Sequence, residues 1–312
     1  MNENDIAAKI AAPFIAALQQ GDIPWQMPWL GLCNIRGTHY RGFNRLLLNY
    51  KLQKNTTWKE PLFLTFAQAL DLKGGVKRGQ HGTFVTFWKP LNRFRTVTKT
   101  DENGEETQAT IKTRGRVLRY YTVFNIAQCD LDEATVAKIR AKLVPQREPG
   151  EDFEAVTASA AALVQPYLDR PEGPSVTQSG ARACYCPIDH SVTLPPRSLF
   201  GSGKEWASTF FHELIHSTGK ALGRDMDAGG FGSESYAREE LVAEIGASML
   251  CGEIGITPTG KPNQNSLAYV QGWVKPLLDK PKAIITAAAR AQRAVDFILG
   301  RTFEETSDEE EA

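Results

Sequence analysis

The run His212-Glu213-Leu214-Ile215-His216 sets two imidazoles four residues apart with a carboxylate between them. On a helix, residues four apart project from one face on successive turns, so both imidazoles can grip one metal ion. Glu213 then stands beside that ion as a general base, taking a proton from water and passing it to a leaving amine. This is the chemistry of a hydrolytic metal centre, and it requires a helix to deliver it. The flanking residues supply one: Ser202 and Glu205 form an S-x-x-E start signal, and Gly219 stands where a C-terminal cap belongs. Trp206, Ala207, Phe210, Phe211, Leu214 and Ile215 share one half of the helical wheel, while Glu205, Thr209, His212, Glu213 and His216 share the other. The apolar half can enter a core while both imidazoles open on a cleft. A short H-E-x-x-H run also arises by chance, so the centre needs a third ligand from elsewhere.

A second amphipathic segment, Tyr236–Leu250, places Tyr236, Glu240, Glu244 and Ala247 on one stripe. Catalytic zinc takes three protein ligands and keeps a further position open, and two histidines with one glutamate form a standard set. Glu240 lies 24 residues beyond His216, well placed to complete that set. The pattern Glu240-x-x-Ala243-Glu244 resembles the E-x-x-A-D/E helix of the gluzincin metallopeptidases. That resemblance implies Glu240 as the third ligand and Glu244 as a carboxylate holding an imidazole N–H. Tyr236, one turn before Glu240, is the candidate for stabilising the oxyanion, with Tyr185 and His190 as rivals. A closed structural zinc site needs no base, so the presence of Glu213 favours an open catalytic one. One Zn²⁺ per chain is expected, with Mn²⁺ as the alternative ion.

The 312-residue chain has room for two domains, and its net charge of zero conceals two unlike halves. Residues 1–128 carry 18 Lys+Arg against 9 Asp+Glu, whereas residues 129–312 carry 18 against 27. In the basic half, cations and aromatics interleave on loops and strands. The notable stretches are Asn34–Arg45, the glycine-rich loop Lys73–Gly82, the alternating strand Thr83–Lys89 and the strand region Arg114–Asn125. Single-stranded nucleic acid is bound this way: cations track the phosphates, and each base stacked on an aromatic face contributes about 1–3 kcal/mol. The candidate contacts are Trp29, Tyr40, Arg41, Asn44, Lys77, Arg78, His81, Arg116 and Tyr121. Trp25, Phe84 and Trp88 are expected in the core instead. There is no helix-turn-helix or zinc-finger pattern for reading a duplex groove.

These features divide the chain into a DNA-binding domain over 1–130, a linker over 131–150, a catalytic domain over 151–303 and an acidic, disordered tail over 304–312. The linker region opens with a short helix, Asp132–Leu143. Ala183–Pro195 reads as a β-hairpin beside the metal helix, able to hold an extended peptide along its edge. Ser266–Leu278 and Ala283–Leu299 read as closing helices. No stretch approaches the roughly 20 continuous apolar residues of a membrane helix. The acidic start is unlike a signal peptide, and five scattered cysteines (Cys33, Cys129, Cys184, Cys186, Cys251) suit a reduced compartment. The expected location is the cytoplasm.

With both halves read, the chain resembles the ArdC family of antirestriction proteins from conjugative plasmids. The landmarks are Pro24-Trp25 with Pro28-Trp29, Tyr40–Asn44, Lys77–Gly82 and Val123-Phe124-Asn125, then His212–Gly219, Tyr236–Glu244 and Gly272-Trp273. The resemblance implies an α+β protein: a mixed α/β single-stranded-DNA-binding domain followed by a zincin-like metallopeptidase domain. It further implies protection of transferred DNA from restriction in the recipient cell, into which the protein could pass during conjugation. A protein substrate, such as a host restriction component, is expected alongside the single-stranded DNA partner. Two other functions fit the same residues: a single-stranded-DNA-binding protein with a non-catalytic metal site, and a DNA-tethered protease acting on DNA-bound proteins.

Overall fold

The amphipathic pattern near the start forms α1 (Glu3–Gln19), which is followed by the two-residue strand β1 (Cys33–Asn34) and α2 (Gly42–Lys54). The computed structural model describes residues 3–20, 22–25, 31–100, 106–141, 152–224, 234–258 and 277–302; the side chains of 3, 4, 88–116, 118 and 234 are outside the description. The apolar run Leu62–Thr65 is strand β2, and it turns directly into the short helix α3 (Phe66–Asp71). Thr65 starts that helix because its hydroxyl accepts from Gln68 N–H while the Gln68 side chain accepts from Thr65 N–H, at 3.2 and 2.9 Å.

Beyond the short strand β3 (Gly75–Val76), the alternating pattern at Thr83 extends much further than the sequence suggested. It forms β4 (Thr83–Thr100), paired antiparallel along its length with β5 (Glu106–Asn125). The sheet order is β1-β2-β5-β4, with β1 and β2 parallel. Asn125 closes it from inside: fully buried, it donates to the carbonyls of Glu60 and Leu62 at 2.7 and 3.2 Å and caps the turn that follows. The strand β6 (Cys129–Asp130) pairs with β3, and α4 (Glu133–Arg140) starts on the carboxylate of Asp132.

The second half opens with α5 (Phe153–Leu168) and a three-stranded sheet of β7 (Ser175–Gln178), β8 (Cys184–Cys186) and β9 (Ser191–Leu194). β8 and β9 are the expected hairpin. β7, which runs parallel to β9 on its other side, was not legible because all four of its residues are exposed. The helices α6 (Gly203–Ser217), α7 (Glu234–Glu253) and α8 (Lys282–Leu299) complete the element order among the described residues.

The core does not respect the expected division. Ile6, Phe14, Trp25 and Phe43 belong to the same apolar cluster as Val156, Phe211, Leu214, Ile245 and Val295. Polar contacts bind the halves as well: Arg41 pairs with Asp296, Gly42 N–H donates to Gln292 at 3.1 Å, and Ser248 Oγ donates to the Trp25 carbonyl. Residues 142–150 of the expected linker, the acidic tail and the greater part of the expected helix Ser266–Leu278 lie outside the described residues. Among the described residues, no helix is long and apolar enough to cross a membrane.

Candidate metal centre

Helix α6 starts as its sequence dictates, with Ser202 Oγ accepting from Glu205 N–H at 3.1 Å. The reciprocal half of the box is displaced by one residue, because Glu205 Oε2 accepts from Gly201 N–H at 2.8 Å. The far end departs further. Thr218 ends the helix in the right-handed region, and Gly219 is not in the left-handed conformation that a glycine cap adopts. The last carbonyls find side chains instead. Leu214 O accepts from Ser217 Oγ at 2.7 Å, while Ile215 O accepts from Thr218 Oγ1 at 2.7 Å and from Arg224 Nη2 at 2.6 Å.

The apolar face of α6 is buried as patterned, and α7 crosses it closely. Gly246 allows the approach, since a Cβ there would lie 2.7 Å from Ile215 Cδ1 and 2.8 Å from its Cγ1. This crossing brings Glu240 to the histidines. His212 Nε2 and His216 Nε2 lie 3.1 Å apart, and the two oxygens of Glu240 are 3.4 and 3.5 Å from them. One ligand atom from each residue lies within 4.8 Å of the other two. Two imidazoles and a carboxylate converging on one point suit a borderline-soft divalent ion, so the residues fit the expected metal. Glu213, on the same helix, is buried with 9% exposure.

Two carboxylates flank the cluster from behind. Glu244 Oε1 lies 3.6 Å from His212 Nδ1. Glu239 Oε1 lies 3.3 Å from His216 Nδ1, a contact the sequence did not suggest. Burial pulls the His216 imidazole down, but hydrogen bonds to Glu239 and Glu240 outweigh it and raise the group to about 9. His212 is raised in the same way, mainly by Glu240 acting against burial. Burial pushes Glu240 up, and the two histidines override it, holding the carboxyl well below the usual range. Glu244 is raised by burial, which its neighbours His212 and Trp25 only partly offset.

Tyr236 is half-buried on α7, one turn before Glu240. Its rivals are engaged with each other: Tyr185 Oη and His190 Nδ1 lie 2.9 Å apart, and His190 Nε2 is 2.9 Å from the Glu172 carbonyl. Both ring nitrogens of His190 are thus occupied.

The expected DNA contacts separate into two groups. Lys77, Arg78 and His81 are exposed on the loop between β3 and β4, Lys77 Nζ also reaching the Ala127 carbonyl at 3.1 Å. Four others are tied into the fold. Tyr40 meets Phe63 edge-on, Tyr121 packs on Phe87, and Arg41 pairs with Asp296. Asn44 Nδ2 donates to the Thr86 carbonyl at 2.6 Å, and its Oδ1 accepts from Thr86 N–H at 2.8 Å. Arg116 stands in β5 opposite Pro90, with its side chain outside the described residues, as is Trp29 altogether. Among the described residues, the exposed aromatics in this half are Phe66 and Tyr120, at 53% and 39%, neither of which the sequence distinguished. Glu239 and Arg224 also escaped it. The Glu239-Glu240 doublet was the available signal for the first, and nothing local marked the second.

Two family models match the chain: the N-terminal domain of anti-restriction factor ArdC over residues 4–124, and a zincin-like metallopeptidase over residues 168–290. Among solved structures, the antirestriction protein ArdC from plasmid R388 is similar in both its metal-free and Mn(II)-bound forms. The TM-scores are 0.66 and 0.69 at 29% identity, covering 94% of this chain and 96% and 97% of those chains. Two DNA primases TraC of Escherichia coli are each 32% identical over 93% of this chain. This chain spans only 19% and 27% of their lengths.

Proposed function

We propose, starting from the chain's membership of the ArdC family, that it is a metal-dependent peptidase joined to a single-stranded-DNA-binding half, and that it protects incoming DNA from restriction. The observation that carries this reading is the convergence of His212, His216 and Glu240 beside the buried Glu213. Zn²⁺ or Mn²⁺ held by those three residues would supply Lewis-acid chemistry. Glu213 takes the proton of the attacking water and returns it to the leaving amine. The Tyr236 hydroxyl donates to the oxyanion as it develops. β8, at the edge of its sheet among the described residues, would pair its outer backbone groups with an extended peptide. Lys77, Arg78 and His81 meet the phosphates, and the exposed ring of Phe66 is available to bases.

The test is Glu213→Gln in the full chain. Loss of a general base costs about 10²–10⁴ in rate, so cleavage should nearly vanish while metal content and DNA binding stay as they were. A variant that cleaves at the wild-type rate overturns the catalytic assignment. Transfer of DNA into restricting and non-restricting recipients then assigns the protection. If Glu213→Gln still protects, DNA coating is sufficient; if it does not, cleavage is the mechanism.

A further inference from the structure

His216 is held at both ring nitrogens by neighbouring glutamates of one helix. Glu240 faces Nε2 at 3.5 Å, on the metal side, and Glu239 faces Nδ1 at 3.3 Å, behind it. Glu239 is itself gripped by Arg224. Arg224 Nε donates to Oε1 and Oε2 at 3.2 and 3.0 Å, and Nη2 donates to Oε1 at 3.0 Å. The rest of the guanidinium turns back to α6: Nη2 reaches the Ile215 carbonyl at 2.6 Å and Nη1 reaches Thr218 Oγ1 at 2.9 Å. Arg224 is 8% exposed, so this planar fork is satisfied inside the protein, where its geometry discriminates most.

We propose that Arg224 and Glu239 are positioning residues for the metal centre, holding His216 as the Nδ1–H tautomer with its Nε2 lone pair aimed at the ion. The inference rests on the metal-site reading above. A histidine that binds metal through one nitrogen needs an acceptor at the other to fix both proton and ring plane. Glu239 is that acceptor. Arg224 holds its carboxylate in place from the carbonyl one residue before His216, so the histidine and its acceptor share a single anchor. A fastener that merely joined α6 to α7 would have no need to reach Nδ1.

The experiment measures Zn²⁺ affinity by chelator competition, together with the ring ¹⁵N shifts of His216 under conditions that keep it neutral. It uses the full chain carrying Glu239→Ala, Arg224→Met, and the double change Arg224→Met with Glu239→Leu. The double change leaves no unpaired buried charge, so it reports even if Arg224→Met fails to fold. Affinity should fall by about 10–100-fold in each folded variant, and the Nδ1–H form should lose its dominance. A folded variant with lowered thermal stability but wild-type affinity and tautomer would reduce the pair to a structural fastener and overturn the inference. If the wild-type chain bound no divalent ion, the metal-site reading would fail instead. The tautomer of the metal-free protein would still decide the role of Glu239.

Discussion

Gly246 sits at the contact between the two helices that carry the candidate metal ligands, and Gly246→Ala probes that spacing directly. An added Cβ would lie 2.7, 2.8 and 3.2 Å from Ile215 Cδ1, Cγ1 and Cγ2. Favourable carbon contacts begin near 3.5 Å, so the closest pair is short by roughly 1 Å. Ile215 cannot turn aside, because it is fully buried and a β-branched side chain on a helix has essentially one rotamer. The helices must therefore separate. Two energies compete: replacing a helical glycine with alanine gains about 1 kcal/mol, and overpacking costs about 1–3 kcal/mol. Net destabilisation of about 0–2 kcal/mol is expected, which leaves the protein folded. The metal centre is less forgiving, since ligand distances hold to about 0.2 Å. Zn²⁺ affinity should fall at least about tenfold, as Glu240 withdraws from His212 and His216. Ile215→Val in the same chain removes Cδ1 and should restore part of the loss. Chemical denaturation and chelator competition read the two effects separately. If Gly246→Ala gains the full propensity term and binds zinc like the wild type, the crossing does not set the ligand spacing.

Further outcomes follow from the metal centre and from the packing of the basic half. His216 is raised to about 9 in the metal-free protein, so loading must expel its proton. Metal affinity should climb with pH through neutrality and level off above about 9, and a flat profile would refute the proton competition. The raised value also stabilises the metal-free fold: this contribution is complete below about 6.5, the ordinary histidine value, and is lost as pH rises through the folded value. Asn44→Ala should destabilise the fold by about 1–3 kcal/mol, because it strands the Thr86 backbone groups on β4. Single-stranded DNA affinity of the folded variant, read by fluorescence anisotropy, should be unchanged; a stable variant with lost DNA binding would restore Asn44 to the interface.

The metal helix was legible because everything that builds it is local. The spacing of His212 and His216, the apolar face and the Ser202 start signal all lie within one stretch of chain. Glu240 was legible through the helical pattern around it and the gluzincin resemblance. Arg224 was not, because its partners are on two helices and no periodicity marks a residue that acts only through tertiary contact. The basic half was less legible for a related reason. Residue type and interleaving do not reveal which way a side chain points, and Tyr40, Asn44 and Tyr121, expected as DNA contacts, also make contacts within the fold. Phe66 went unnoticed because a short helix offers no pattern to say which of its faces stays open.

The shared core has a consequence for how this architecture is inherited. Family models divide the chain into two modules, at 4–124 and 168–290. Yet Ile6, Phe14 and Trp25 are buried among residues of the second module, so excising either would bare apolar surface that the other now covers. Such a pair is best transplanted whole. The alignment with the TraC primases, spanning 93% of this chain inside much longer proteins, has that form: one cassette rather than two interchangeable parts.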